Sequence, residues 1–177
     1  TSATVTYSFP DSTSYWNTAS YSYGTSGTEP YSMTGFNATE QTAFREIASL
    51  YNEVANVNLT EGVDNATVVG DIRIAYSDVL TGTGSAAWTR YQVSTDGEWA
   101  SSTHGDIWVE PSYTSTTQGS YSLHAVAHEL GHALGLQHTF QGVSLPTAED
   151  TKQYTIMSYT QSADYGTYYP YAPQLYD

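Results

Sequence analysis

Apolar and polar residues alternate from the start of the chain: TVTYSF puts Val5, Tyr7 and Phe9 on one side of an extended segment, the pattern of a half-buried strand. The Ser-, Tyr- and Gly-rich stretch from there to about Gly35 shows no period and is expected to be loop. In NATEQTAFREIASLYNEVANV the period becomes helical. Ala43, Phe44, Ile47, Ala48, Tyr51, Val54 and Ala55 fall on one face, which predicts an amphipathic helix with that stripe buried. Asn37 serves as its N-cap, with Glu40 three residues on completing a capping box. Residues 57–59, 71–76, 86–91 and 106–110 are β-branched or aromatic runs between Gly/Asp/Ser/Thr clusters, as expected for strands of a mixed, twisted sheet backed by helices. A second helix is expected from about 122 to 136, with Leu123, Val126, Ala127, Leu130, Ala133 and Leu134 turned inward, followed by a loop-rich tail without a strong helix. No repeat of fixed period is present, including nonapeptides of the calcium-binding β-roll kind. The pattern predicts a single α+β domain over residues 1–177.

Composition narrows the chemistry. The chain of 177 residues is long enough for its own core, and it has no cysteine, so a transition-metal site must be built from histidines and carboxylates. Eighteen acidic residues against four basic ones leave a formal charge of −14, which disfavours nucleic acid and anionic membrane as partners. Lys152 is the one lysine, and the bulk is Ser, Thr, Gly and 17 Tyr, a composition that points to an extracellular or high-salt setting. No apolar run approaches the roughly 20 residues needed to span a bilayer. The opening TSATVTYSFP lacks a basic region followed by an apolar one, so any secretion signal is removed or lies elsewhere.

The most informative segment is His128-Glu-Leu-Gly-His132-Ala-Leu-Gly-Leu-Gln-His138. Residues four apart on a helix are turned by about 400°, so His128 and His132 project from one face, one turn apart, and can hold one ion. Gly135 can adopt the positive φ that ends the helix and reverses the chain, letting His138 approach from a third direction. Three neutral imidazoles leave one position open, the catalytic kind of Zn2+ site, where bound water is acidified to a pKa near ~7. Glu129, beside the first ligand, is placed to act as general base on that water. Five specified positions match by chance about once in 10⁷ starts.

This string is identified with the metzincin signature. Within that clan the chain resembles the serralysins, from YSLHAVAHELGHALGLQH through YTIMSY to YAPQLYD. The resemblance implies a zincin fold with a smaller, loop-rich C-terminal subdomain below the cleft, residues 1–138 above and 139–177 below. It implies that Met157 lies under the three histidines as an apolar floor, and that Tyr159 ligates zinc at rest and swings to bond the tetrahedral oxyanion. GDIWVE resembles the sheet-edge strand above the cleft, to which substrate adds as an antiparallel strand. The implied activity is a secreted, monomeric endopeptidase acting on extended protein or peptide substrates, with a proteinaceous inhibitor or a propeptide as further partner. Serralysins usually have Pro where this chain has Thr139, and in most of them a helix and calcium-binding repeats follow the counterpart of Asp177. Astacins share the SxMxY turn but place Glu after the third histidine and carry disulfides, and matrixins tend to have Pro after the turn.

His124, one turn before His128 on the same face, is expected to pack behind the site rather than to ligate, and His104 to sit in an exposed polar turn. The acidic residues other than Glu129 lack EF-hand spacing, so Ca2+ has no support here. The sequons at Asn37, Asn58 and Asn65 matter only in a eukaryotic secretory pathway. Two other functions fit the same residues: a non-catalytic zinc-stabilised binding or adhesion module, against which the presence of Glu129 argues, and a structural zinc site closed permanently by Tyr159.

Overall fold

The structure, a computed structural model, describes residues 3–16, 28–90, 105–142 and 144–177. Two helices lie against a six-stranded mixed sheet. In chain order the elements are β1 (Ala3–Ser8), β2 (Met33–Gly35), α1 (Ala38–Val54), β3 (Val57–Glu61), β4 (Ile72–Ser77), β5 (Ala87–Arg90), β6 (Asp106–Val109) and α2 (Tyr121–Ala133). The main path runs β3-β1-β4-β6-β5. β4 is its centre. Its first half pairs in parallel with β1, its second half antiparallel with β2, and its other side in parallel with β6.

β2 falls in the stretch expected to be loop: three residues are too few to show a period, and the strand exists because β4 offers it an edge. β6 corrects a second expectation. GDIWVE is not at the edge, since β6 lies between β4 and β5; among the described residues β5, antiparallel to β6, is the last strand on that side. Trp108 is buried in the sheet accordingly.

Alternation along the strands sorts the two faces. Ile72, Ile74 and Tyr76 of β4 and Ile107 and Val109 of β6 join Phe44, Ile47 and Tyr51 of α1 and Leu123, Val126 and Leu130 of α2 in the main core. Ala75 and Trp108 point the other way, to Leu80, with Trp16 and Trp88 packed beside them. α1 starts where its capping box requires: Asn37 Oδ1 accepts from the Thr39 and Glu40 amides, and Glu40 Oε2 from the Asn37 amide at 2.7 Å. The predicted stripe ends early. Val54 is 68% exposed and Ala55, the C-cap, is also exposed, so the buried stripe stops at Tyr51.

Every residue of β4 is buried, Arg73 included. Its guanidinium meets both oxygens of Asp64 at 2.9 Å and lies 3.4 Å above the Trp16 ring, while Ser8 Oγ donates to Asp64 at 2.7 Å. The charge is therefore matched inside the protein rather than stranded. Asp64→Ala, which strands it, is expected to cost about 3–5 kcal/mol in urea unfolding. Glu61→Ala, which breaks the exposed Arg45–Glu61 pair (40% and 38% exposed), is expected to cost at most about 1 kcal/mol. Equal losses would show that the buried pair is no more important than the surface one.

Candidate metal centre

α2 begins at Ser120, whose hydroxyl accepts from the Leu123 amide, and ends in a Schellman motif. The Gly135 amide donates to the His132 carbonyl and the Leu136 amide to that of Gly131, both at 2.9 Å, with Gly135 at φ +100°. The helix thus stops at Ala133, three residues before the predicted end. The reversal that the sequence places at Gly135 sends the chain back toward His138.

His128, His132 and His138 each offer a ring nitrogen, and these atoms lie within 4.8 Å of one another. Nε2 of His138 is 3.3 Å from that of His128 and 3.0 Å from that of His132. The second nitrogen of each ring faces an acceptor. His128 Nδ1 is 2.7 Å from the Ile156 carbonyl oxygen, His132 Nδ1 2.8 Å from that of Leu136, and His138 Nδ1 3.2 Å from Gln141 Oε1. A carbonyl oxygen only accepts, so the ring proton belongs on Nδ1 and each Nε2 turns a lone pair inward. Three lone pairs this close repel unless a cation lies among them, and an all-imidazole set of three suits zinc with a position to spare. Burial pushes the His128 imidazole down to about 3 and His132 down to about 4, and it also lowers His138, so all three are neutral donors at neutral pH.

Glu129, on the same helix, is 8% exposed. Burial pushes its carboxyl up to about 7, against hydrogen bonds from Thr89 that pull it down. Thr89 Oγ1 is 2.8 Å from Glu129 Oε2 and 2.8 Å from the Glu129 carbonyl oxygen. The Tyr159 hydroxyl reaches His138 Nε2 at 2.7 Å, although the residue is 64% exposed. Its ring stacks 5.8 Å from that of His128. Phe140 lies parallel to His138 at 4.9 Å on the solvent side.

The segment carrying Met157 and Tyr159 is tied down from several directions. Asp177 accepts from the amides of Ile156 and Gln174 and from the Thr155 hydroxyl. Lys152, the one lysine, is buried with its ammonium donating to the Tyr159 carbonyl at 2.7 Å. The Met157 side chain packs against Gly131 of α2. His124 stands outside the three-histidine set, buried between the rings of Tyr121 and Tyr169, with Nδ1 2.6 Å from the Pro170 carbonyl oxygen. His104 lies outside the described residues. No motif marks Thr89, Lys152 or Asp177, whose partners at Glu129, Tyr159 and Ile156 lie 40, 7 and 21 positions away along the chain.

Comparison with known proteins follows the same line. A sequence model of Metallo-peptidase family M12 matches residues 9–171, and the chain belongs to that family. Among its relatives, serralysin of Proteus mirabilis is 29% identical over 199 residues, 99% of this chain and 38% of that protein. Metalloprotease AprA of Pseudomonas entomophila (strain L48) is 29% identical over 147 residues, 71% of this chain and 29% of that protein. The chain spans about a third of the length of the curated relatives it matches. The solved structure of myroilysin superposes with a TM-score of 0.47 at 16% identity, over 81% of this chain and 53% of that one.

A Cβ on Gly131 would stand 2.9 Å from both Met157 Sδ and Tyr51 Oη, and that hydroxyl is itself fixed by donating to the Ala127 carbonyl at 2.9 Å. For Gly131→Ala, overpacking of about 1–3 kcal/mol is expected to outweigh the up to about 1 kcal/mol of better helix propensity. The urea midpoint therefore falls. A midpoint at or above the parent's would mean that Tyr51 and Met157 give way freely.

Proposed function

We propose that this chain acts as a zinc-dependent endopeptidase on extended protein segments, with His128, His132 and His138 as metal ligands. The observation that carries this is the convergence of three inward Nε2 lone pairs, two of them from the helix that also carries the buried Glu129. His128, His132 and His138 would hold the zinc, which would supply a Lewis acid for activating water and polarising a carbonyl oxygen.

The protein's own groups supply the proton transfers. Glu129 takes a proton from the attacking water as its oxygen adds to the carbonyl carbon, then delivers it to the amide nitrogen as the C–N bond breaks. Burial raises this carboxyl's affinity for a proton, which favours the uptake step. Tyr159 donates its O–H to the carbonyl oxygen as negative charge grows there. Its ring, 64% exposed, lies against His128, His138 and Phe140, and in this reading its hydroxyl passes from His138 to that oxygen. Met157, buried against Gly131, keeps the underside of the site dry.

β5 is the strand on which substrate would pair, through backbone hydrogen bonds that select extended segments and read few side chains. This moves to β5 the role that the resemblance assigned to GDIWVE. No helix among the described residues is long and apolar enough to cross a membrane. The acidic, lysine-poor composition rich in Ser, Thr, Gly and Tyr supports work outside the cell. A structural zinc site closed by Tyr159 draws support from the 2.7 Å contact to His138, and turnover decides between the two.

Casein hydrolysis near pH 7 by the zinc-loaded parent is expected to fall at least ~10²-fold in a folded, zinc-binding Glu129→Ala variant and to stop when a chelator removes the metal. A parent that binds zinc and cleaves nothing would favour the non-catalytic module. With a formal charge of −14, the protein is expected to cleave a basic peptide faster than a matched acidic one at low ionic strength, the gap closing in salt. Equal rates at low salt would rule out steering by the overall field.

A further inference from the structure

The contact between β5 and α2 joins two parts of the site that the family string does not connect. Thr89 sits in the middle of β5, its backbone paired with Ile107 of β6. Its hydroxyl reaches both the Glu129 carboxylate and the Glu129 main-chain carbonyl, each at 2.8 Å. The hydroxyl's single proton is donated to one of these two oxygens or shared between them, so the strand meets the Glu129 side chain and its own helix turn at one place.

The strand that carries it is anchored from the opposite face. Trp88 points away from α2, packs with Trp108 and Leu80, and donates its indole N–H to Glu29 Oε1 at 3.2 Å. β5 therefore cannot slide along the helix without breaking contacts on both sides of the sheet.

We propose that Thr89 is a positioning residue, which locks the Glu129 carboxyl to the strand that receives the substrate so that base and scissile bond keep one relative placement. The proposal rests on the endopeptidase reading above. A fixed base matters because catalysis by a positioned group depends on near-attack geometry, and a small displacement costs rate rather than binding. The hydroxyl's loss removes a hydrogen bond to a charged group, an effect expected to be about tenfold to a hundredfold in rate.

The test compares parent, Thr89→Val and Thr89→Ser in three measurements: steady-state cleavage of a peptide substrate, zinc affinity by chelator competition, and a crystal structure of each zinc-loaded protein. Val keeps the β-branched shape and strand preference but lacks the O–H, and Ser keeps the O–H. The expected result for Thr89→Val is a kcat lowered about tenfold or more, with KM and zinc affinity within about twofold of the parent and the Glu129 carboxylate displaced or spread over rotamers. Thr89→Ser restores both kcat and the single carboxylate position. A Thr89→Val protein with parental kcat and an unmoved carboxylate overturns the proposal. So do equal losses in the Val and Ser variants accompanied by weaker zinc binding, which mark a packing role. If the parent itself shows no turnover, the endopeptidase reading fails, and the carboxylate position in the three structures still decides whether Thr89 holds it.

Discussion

Three imidazole lone pairs aimed at one point form an arrangement that repels itself, and it is held only because every ring is restrained through its other nitrogen. The restraints come from separate parts of the chain. The Ile156 carbonyl faces His128 from the turn before Met157, the Leu136 carbonyl faces His132 from just past the helix end, and Gln141 faces His138 from its own loop. Each of the first two acceptors is fixed in turn. Ile156 hangs from the Asp177 carboxylate, and Leu136 is set by the Schellman closure at Gly135. With the proton on Nδ1 and the rings of His128 and His132 buried and that of His138 half-buried, each imidazole is neutral and needs little reorganisation to bind a cation.

The sheet serves the same centre. β4 and β6, buried on both faces, form the base on which α2 lies, and β5 extends that base to the side where Thr89 meets Glu129. Burial has opposite effects on the two kinds of group here. It lowers the basicity of the histidines, which keeps them neutral, and it weakens the acidity of Glu129, which brings its carboxyl near neutrality. Solvent meets the cluster on the side of Tyr159 and Phe140, both exposed and both in ring contact with His138. Lys152 holds the Tyr159 backbone while leaving its side chain outside.

Much of this was legible in the residues. The capping box at Asn37 and Glu40, the helix carrying His128 and His132, and the reversal at Gly135 all depend on contacts within a few positions, so spacing and residue type suffice to specify them. The strands at 57–61, 72–77, 87–90 and 106–109 were legible for the same reason, since alternation and turn residues are local signals. The histidine string also carried the chemistry, because 3.6 residues per turn places i and i+4 on one face whatever surrounds the helix.

Tertiary structure alone decided the rest. β2 exists only because β4 has an open edge for it, and β6 is internal because β5, which precedes it in sequence, adds outside it. Arg73 can sit in a fully buried strand only because Asp64 and Trp16 come to it from elsewhere in the chain. Thr89 reads in sequence as one more strand residue, and Lys152 only as the one lysine of the chain, until sheet register and chain reversal bring them to Glu129 and to the Tyr159 backbone. The difference is physical. Local periodicity follows from backbone geometry repeated at every residue, whereas the partner of a side chain dozens of positions away depends on strand order, register and packing, which are settled only when the whole chain has found its place.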